Sequence, residues 1–174
     1  MTLTLAGCSD MRIEQFQNSA PEFRLERYFD GRVLAWGWFE DRFGNVRRQF
    51  FVDIDGQWDG QQLILDESFE YSDGETEHRT WTITPDGQGG YRGRAADIVG
   101  TAQGQSAGNA LNWRYSMDLK VGDRHWRVQF DDWMLLQPDG VLLNRATVSK
   151  WGLTLGEVRL FFVKPEDAKQ RLRL

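Results

Sequence analysis

Cysteine is almost missing from this 174-residue chain: Cys8 is the only one. No internal disulfide can form, so the body folds alike in a reducing or an oxidising compartment. Histidine is also scarce, and neither His78 nor His125 has a Cys or His partner at ligand spacing, which leaves no zinc-type centre. No apolar run reaches the ~18 residues a membrane-spanning helix needs. Positive charge is in deficit, with 21 Lys and Arg against 26 Asp and Glu and a net charge of −5. A chain of that sign offers no basic face to nucleic-acid phosphates. Only four prolines occur, whereas glycine reaches 18 and aromatics 13%, including eight Trp. Abundant aromatics with abundant glycine point to short strands joined by tight turns.

Turn signals recur along the chain at Phe43-Gly44-Asn45, Asp55-Gly56, Asp59-Gly60, Ser72-Asp73-Gly74, Pro85-Asp86-Gly87, Val121-Gly122-Asp123 and Pro138-Asp139-Gly140. Such pairs supply the positive φ of hairpin turns. Between them apolar residues alternate with period two, as in Leu63, Leu65, Phe69 and Tyr71, or in Leu111, Trp113, Tyr115, Met117 and Leu119. The pattern predicts strands near 32–40, 46–55, 62–71, 77–84, 91–99, 109–120, 124–136, 141–150 and 154–164. Hairpin-linked strands in such number leave exposed edges unless the sheet closes. The expected fold is therefore all-β: an antiparallel meander closing into a lipocalin-like barrel of about 8–10 strands. A two-sheet sandwich is the alternative. Residues 21–29 read as a short N-terminal helix, led in by Ser19-Ala20-Pro21, that could cap one end of the barrel.

Leu5-Ala6-Gly7-Cys8 matches the processing box of a bacterial lipoprotein, in which the cysteine sulfur is acylated and becomes the new amino terminus. The expected organisation is a shortened lipoprotein signal at 1–8, a tether at 9–20, one barrel domain at 21–164 and a tail or short helix at 165–174. A full signal carries a basic segment and ~7–15 apolar residues before the box, so the natural start is expected upstream. Two or three acyl chains on Cys8 would hold the protein stably on a membrane. Ser9, which is not Asp, directs it to the periplasmic face of the outer membrane. The alternative is an ordinary free thiol near a terminus.

Candidate functional residues are ionisable groups on faces that otherwise read as core. Glu67 lies between Leu65 and Phe69, and Arg79 shares a face with Trp81 and Ile83. Asp97 falls with Ala95 and Val99, and Asp132 with Phe130 and Met134. Arg145 falls with Val141 and Leu143, unless the register turns Asn144 inward instead. Charges in an apolar interior must pair. They then form either a register-fixing ion network or the polar floor of a ligand cavity walled by Trp113, Tyr115 and other aromatics. Catalytic and cofactor motifs are weak. Asp131 and Asp132 point to opposite sides of a strand, leaving only Glu67 with Asp132 as a conceivable acid pair. Gly104-Gln105-Ser106-Ala107-Gly108 matches a nucleophile elbow in letters, but it reads as a flexible loop at the barrel mouth rather than a strand–turn–helix. The acids from Asp53 to Asp59 resemble a calcium loop without the closing Glu. No catalytic residue, metal ligand or cofactor is assigned.

The stretches Phe29-Asp30-Gly31, Asp53-Ile54-Asp55-Gly56-Gln57-Trp58-Asp59-Gly60, Tyr71-Ser72-Asp73-Gly74-Glu75, Asp97-Ile98-Val99-Gly100, Ala107-Gly108-Asn109-Ala110, Asp131-Asp132-Trp133 and Asn144-Arg145 resemble a family of uncharacterised lipoproteins of Gram-negative bacteria, classed as a domain of unknown function. The resemblance implies the lipoprotein address and one domain, and brings no activity with it. The sequence thus points to a monomeric, lipid-anchored barrel that binds a small amphiphile. The alternatives are a solid barrel acting through a surface patch such as Trp133 and Leu135, and a hydrolase.

Overall fold

The computed structural model describes residues 11–121 and 123–167, and the lipobox with Cys8 lies outside them. Ten antiparallel strands form a closed barrel: β1 Gly31–Asp41, β2 Val46–Trp58, β3 Leu63–Tyr71, β4 Thr76–Pro85, β5 Gly90–Arg94, β6 Ile98–Ala107, β7 Ala110–Val121, β8 Arg124–Leu136, β9 Leu142–Lys150 and β10 Leu153–Val163. Each strand pairs with its neighbours in sequence, and β1 closes the ring against β10 from Leu34↔Val163 to Asp41↔Gly156. Period-two alternation turns one apolar face of every strand inward, including Val33 and Ala35, Val52 and Ile54, Leu63 and Leu65, and Ala146 and Val148. Asp53, Asp66, Arg114, Asp118 and Arg127 alternate with inward residues and pair on the outside. That polarity is the inverse of a membrane-crossing barrel, whose outer face is apolar and whose lumen is polar.

Three stretches differ from the sequence pattern. The segment expected as one strand at 91–99 is two, β5 and the start of β6, separated by a tight turn in which Ile98 N–H bonds the Ala95 carbonyl at 3.2 Å. Ala95-Ala96-Asp97 carries none of the usual turn residues, so the break left no local mark. The run at 104–108, expected as a flexible loop, is mostly strand: β6 extends to Ala107, with a register shift between Val99 and Gln103. Asp55-Gly56 is likewise strand, since β2 runs on to Trp58 and the chain turns at Asp59-Gly60.

Because neighbours are consecutive and antiparallel, connections alternate between the two ends of the barrel. The links after β2, β4, β6 and β8 share one end with the chain entering β1, and the links after the odd strands share the other. The N-terminal segment seals the first end. Its helix is shorter than the expected 21–29, being the single turn α1 at Leu25–Tyr28. The Tyr28 hydroxyl shares its one proton between the carbonyls of Gly140 (3.0 Å) and Phe162 (3.1 Å). Phe23 N–H bonds Gly108 O at 2.8 Å, and the Tyr91 hydroxyl donates to Glu26 at 2.9 Å. Phe23, Leu25 and Phe29 are buried in the end of the barrel. Part of the expected tether is also packed: Ile13–Phe16 forms a 3-10 turn whose Phe16 ring lies 6.0 Å from Trp133.

Gly56 is required by this seal rather than by a turn. A Cβ there would lie 1.6 Å from the Phe29 carbonyl oxygen, a backbone atom that cannot rotate away. Gly56→Ala is expected to lift the plug from the barrel at a cost of roughly 2 kcal/mol or more, lowering Tm by about 4–8 °C. Thermal unfolding checks this, and an unchanged Tm would mean the plug does not seat as described.

Candidate functional site

The plug closes one end, but the side chains do not fill the interior. A cavity of about 490 Å³ runs from Leu25 and Phe29 at the sealed end toward Arg48, Tyr71, Glu77 and Trp126 at the other. Glu77 and Trp126 are themselves exposed to solvent, so the cavity opens at that end. A solid core, one of the expectations from sequence, is therefore not what the barrel contains. The volume falls in the range of small-molecule sites.

Glycines on β5 and β6 shape one wall. Cβ atoms at Gly93 and Gly104 would meet the Trp113 indole at 2.6 Å and 2.4 Å, so both glycines make room for that ring. Trp113 packs edge-on against Trp81, and Trp81 in turn against Tyr115, with centroids at 5.7 Å and 5.5 Å. Tyr115 stacks on Phe130 at 4.8 Å. These rings form a continuous aromatic belt around the polar centre.

The polar centre has two parts. In the first, register places Glu67 of β3 directly opposite Arg79 of β4. Arg79 Nη1 lies 3.5 Å from Glu67 Oε2, while Nη2 and Nε reach Asp97 at 2.8 Å and 2.9 Å. Met117 Sδ is 3.9 Å from Nη2, and the guanidinium sits 5.2 Å from the Phe69 centroid. Burial opposes the charge on Arg79, yet the Glu67 charge and the Asp97 hydrogen bonds outweigh it and raise its pKa above the usual arginine value. Burial pushes Glu67 up to about 7, with Arg79 restraining the rise and the Asp97 charge adding to it.

The second part is Asp132 of β8, inward-facing and 5% exposed. Burial pushes its carboxyl up to about 7; Tyr115 and Asn144 restrain the rise as hydrogen-bonding neighbours, and the charges of Asp131 and Glu67 add to it. The Tyr115 hydroxyl is held well above the usual tyrosine range, first by burial and then by Asp132. Asp132 Oδ1 nevertheless has no hydrogen-bond partner among the described residues. An orphaned buried acceptor costs about 1–3 kcal/mol. Here the orphan lies on the cavity wall.

Of the residues singled out from sequence, Glu67, Arg79, Trp113, Tyr115 and Asp132 line the cavity. Asp97 stands behind them in the β5–β6 turn, as the anion that fixes Arg79. Arg145 requires a correction: it points outward and is exposed, and Asn144 takes the inward place. Trp133 is no surface patch either, since it is buried beneath Phe16. Alternation missed two charged lining residues that it could have found: Arg48, which lies two positions before inward Phe50 and sits 3.5 Å from the Tyr71 ring centroid, and Glu77, two positions before inward Arg79.

Other chemistry finds no support in the geometry. Ser106 lies within β6 and bonds the Gly89 carbonyl at 3.2 Å, far from an elbow's strand–turn–helix setting. Among the described residues no group of three His, Cys, Asp or Glu is arranged to hold a metal ion, and no helix is long and apolar enough to cross a membrane. Asp53 pairs with Arg32 across β1 and β2 instead of entering a calcium loop.

Fold and site together define a closed antiparallel barrel with an apolar cavity around a buried acid–arginine centre. The chain belongs to the family described as protein of unknown function (DUF3833), whose model matches residues 2–164. No curated protein matches it.

The buried acids give stability a definite pH dependence. Asp132 titrates near 3.8 when exposed and near 7 in the folded protein, so between those values the folded state binds the extra proton. The stability tied to the protonated acid is full below the lower value and is lost as pH rises through the upper one. Asp132→Asn keeps the shape and removes the ionisation. Relative to the parent it is expected to gain on the order of 3 kcal/mol of stability between about pH 4 and pH 8. Denaturant unfolding across that range checks this, and parallel curves would contradict it.

Proposed function

We propose that this protein is a lipid-anchored envelope lipoprotein whose barrel binds a small amphiphile, tail among the aromatic walls and head at the acid–arginine centre. The observation that carries the proposal is Asp132 Oδ1, buried and without a partner on the wall of an open cavity of about 490 Å³. A ligand hydroxyl, amide or amine donating to that oxygen would satisfy it. An anionic head fits worse, because Arg79 already serves Asp97 and Glu67, and further negative charge would meet two buried acids. The cargo class is therefore a single-tailed lipid with a neutral or amine head.

The anchor rests on Leu5-Ala6-Gly7-Cys8, which the family match takes in. Acylated there, and with Ser9 next, the protein would sit on the periplasmic face of the outer membrane as a monomer.

Titration with N-phenyl-naphthylamine, a neutral apolar fluorophore, tests the cavity. Saturable one-to-one binding is expected, and Ala146→Phe, which fills the lumen opposite Asp132, should abolish it while near-UV circular dichroism is retained. Dodecanol and dodecylamine are expected to displace the probe at least ~10-fold better than laurate at about pH 8. No saturable binding by the parent protein, or equal displacement by all three, would overturn the reading.

A further inference from the structure

We propose that one half of the open rim is a docking surface for anionic lipid bilayer. This goes beyond the interior ligand and rests on other residues. The β9–β10 hairpin turns through Trp151-Gly152, with Lys150 paired to Leu153 across a two-residue loop. Both loop residues have positive φ, 53° at Trp151 and 78° at Gly152. Asn, Asp or Gly is at home at the first of these positions, and a bulky aromatic is strained there. Trp151 is also 86% exposed, so its ring is not packed into the core.

Its neighbours continue the pattern around the ring. Leu153 on the same hairpin is 62% exposed, Phe43 at the β1–β2 tip is 74% exposed, and Val46 beside it is 52% exposed. The Arg42 amide donates to the Leu155 carbonyl at 2.9 Å, which joins the β1–β2 tip to β10. On the other side Lys150 Nζ lies 4.1 Å from the Trp126 ring centroid and 4.5 Å from that of Trp151. Arg42 likewise lies 4.8 Å from the Phe43 centroid. Three adjacent hairpins thus present exposed apolar side chains interleaved with Lys150 and Arg42, which rest on rings, while Arg47 at the β1–β2 tip neutralises Asp41.

That combination fits a lipid interface. Trp prefers the headgroup level, Leu and Phe the acyl boundary, and Lys and Arg the lipid phosphates. The rest of the rim differs: the β3–β4 tip carries Asp73 and Glu75 paired to Arg48, with Glu77 behind. Asp123 is the one exposed acid at the β7–β8 tip, next to Arg124. The charge division orients the barrel, apolar and cationic side down. Trp126 and Leu155 belong to both the docking half and the cavity lining, so the docked protein would set the cavity mouth against the lipid.

Cosedimentation with vesicles of phosphatidylethanolamine containing phosphatidylglycerol tests this, using the full chain with Cys8→Ser so that no acyl group contributes. Binding is expected. Trp151→Asn with Leu153→Ser should weaken it roughly 10-fold or more. Lys150→Glu should weaken it about fivefold, more at low salt than at high. Trp151→Asn relieves the strained turn, so its Tm should hold or rise, which separates lost docking from lost fold. Ala146→Phe should leave vesicle binding intact. Vesicle binding without probe binding would refute the interior ligand and keep the rim. Probe binding without vesicle binding, or vesicle binding untouched by the rim variants, would refute the rim.

Discussion

The pairing of β1 with β10 is the constraint on which the rest depends. Closure removes both sheet edges and obliges one face of every strand to share a single interior. That interior receives Glu67 and Arg79 from one side of the ring and Tyr115 and Asp132 from the other. A barrel of about eight strands is just filled by its own side chains or holds one small ligand. This one has ten. It uses Trp81, Trp113 and the Phe23–Phe29 plug to occupy much of the added width, and a cavity remains.

The polar centre is expensive to maintain and is built unevenly. Arg79 and Asp97 are well matched at 2.8 Å and form a pair that a structural role alone would explain. Glu67 is held more loosely at 3.5 Å, and Asp132 keeps one oxygen without a partner. Buried carboxyls that titrate near neutrality, rather than as firmly paired anions, can donate as well as accept hydrogen bonds at physiological pH. An ion network evolved only to fix register would be expected to satisfy its members. Within this centre the unsatisfied atom, Asp132 Oδ1, lies on the wall of the cavity, where a bound head group would complete it.

Much of the barrel was legible in the sequence, because a closed sheet with an apolar inside and a polar outside writes its period directly into the chain. The faces carrying Glu67, Arg79, Trp113, Tyr115 and Asp132 were readable for that reason. Arg145 was not, because Leu143-Asn144-Arg145 offers two registers and local pattern has no means of choosing; the pairing of Asn144 with Met134 decides it. The β5–β6 break was hidden because Ala95-Ala96-Asp97 turns without glycine. Gly56 and Gly104 looked like turn or loop residues, and their cause is distant: the Phe29 carbonyl and the Trp113 ring. The plug and the size of the cavity are properties of long-range packing, which no local period records.

Plug and rim give the molecule a direction. The N-terminal segment reaches the barrel at the sealed end, against Trp133 and Gly108, whereas the cavity opens at the far end among Trp126 and Leu155. The central claim is that the interior is occupied in its natural setting. Native mass spectrometry of the protein, released gently from its own membrane, tests it most directly. The account predicts a defined extra mass, beyond any acyl groups on Cys8, that fragments as a single-tailed lipid with a neutral or amine head and is absent from Ala146→Phe. A bare protein mass from the parent, or the same adduct on both proteins, would contradict it.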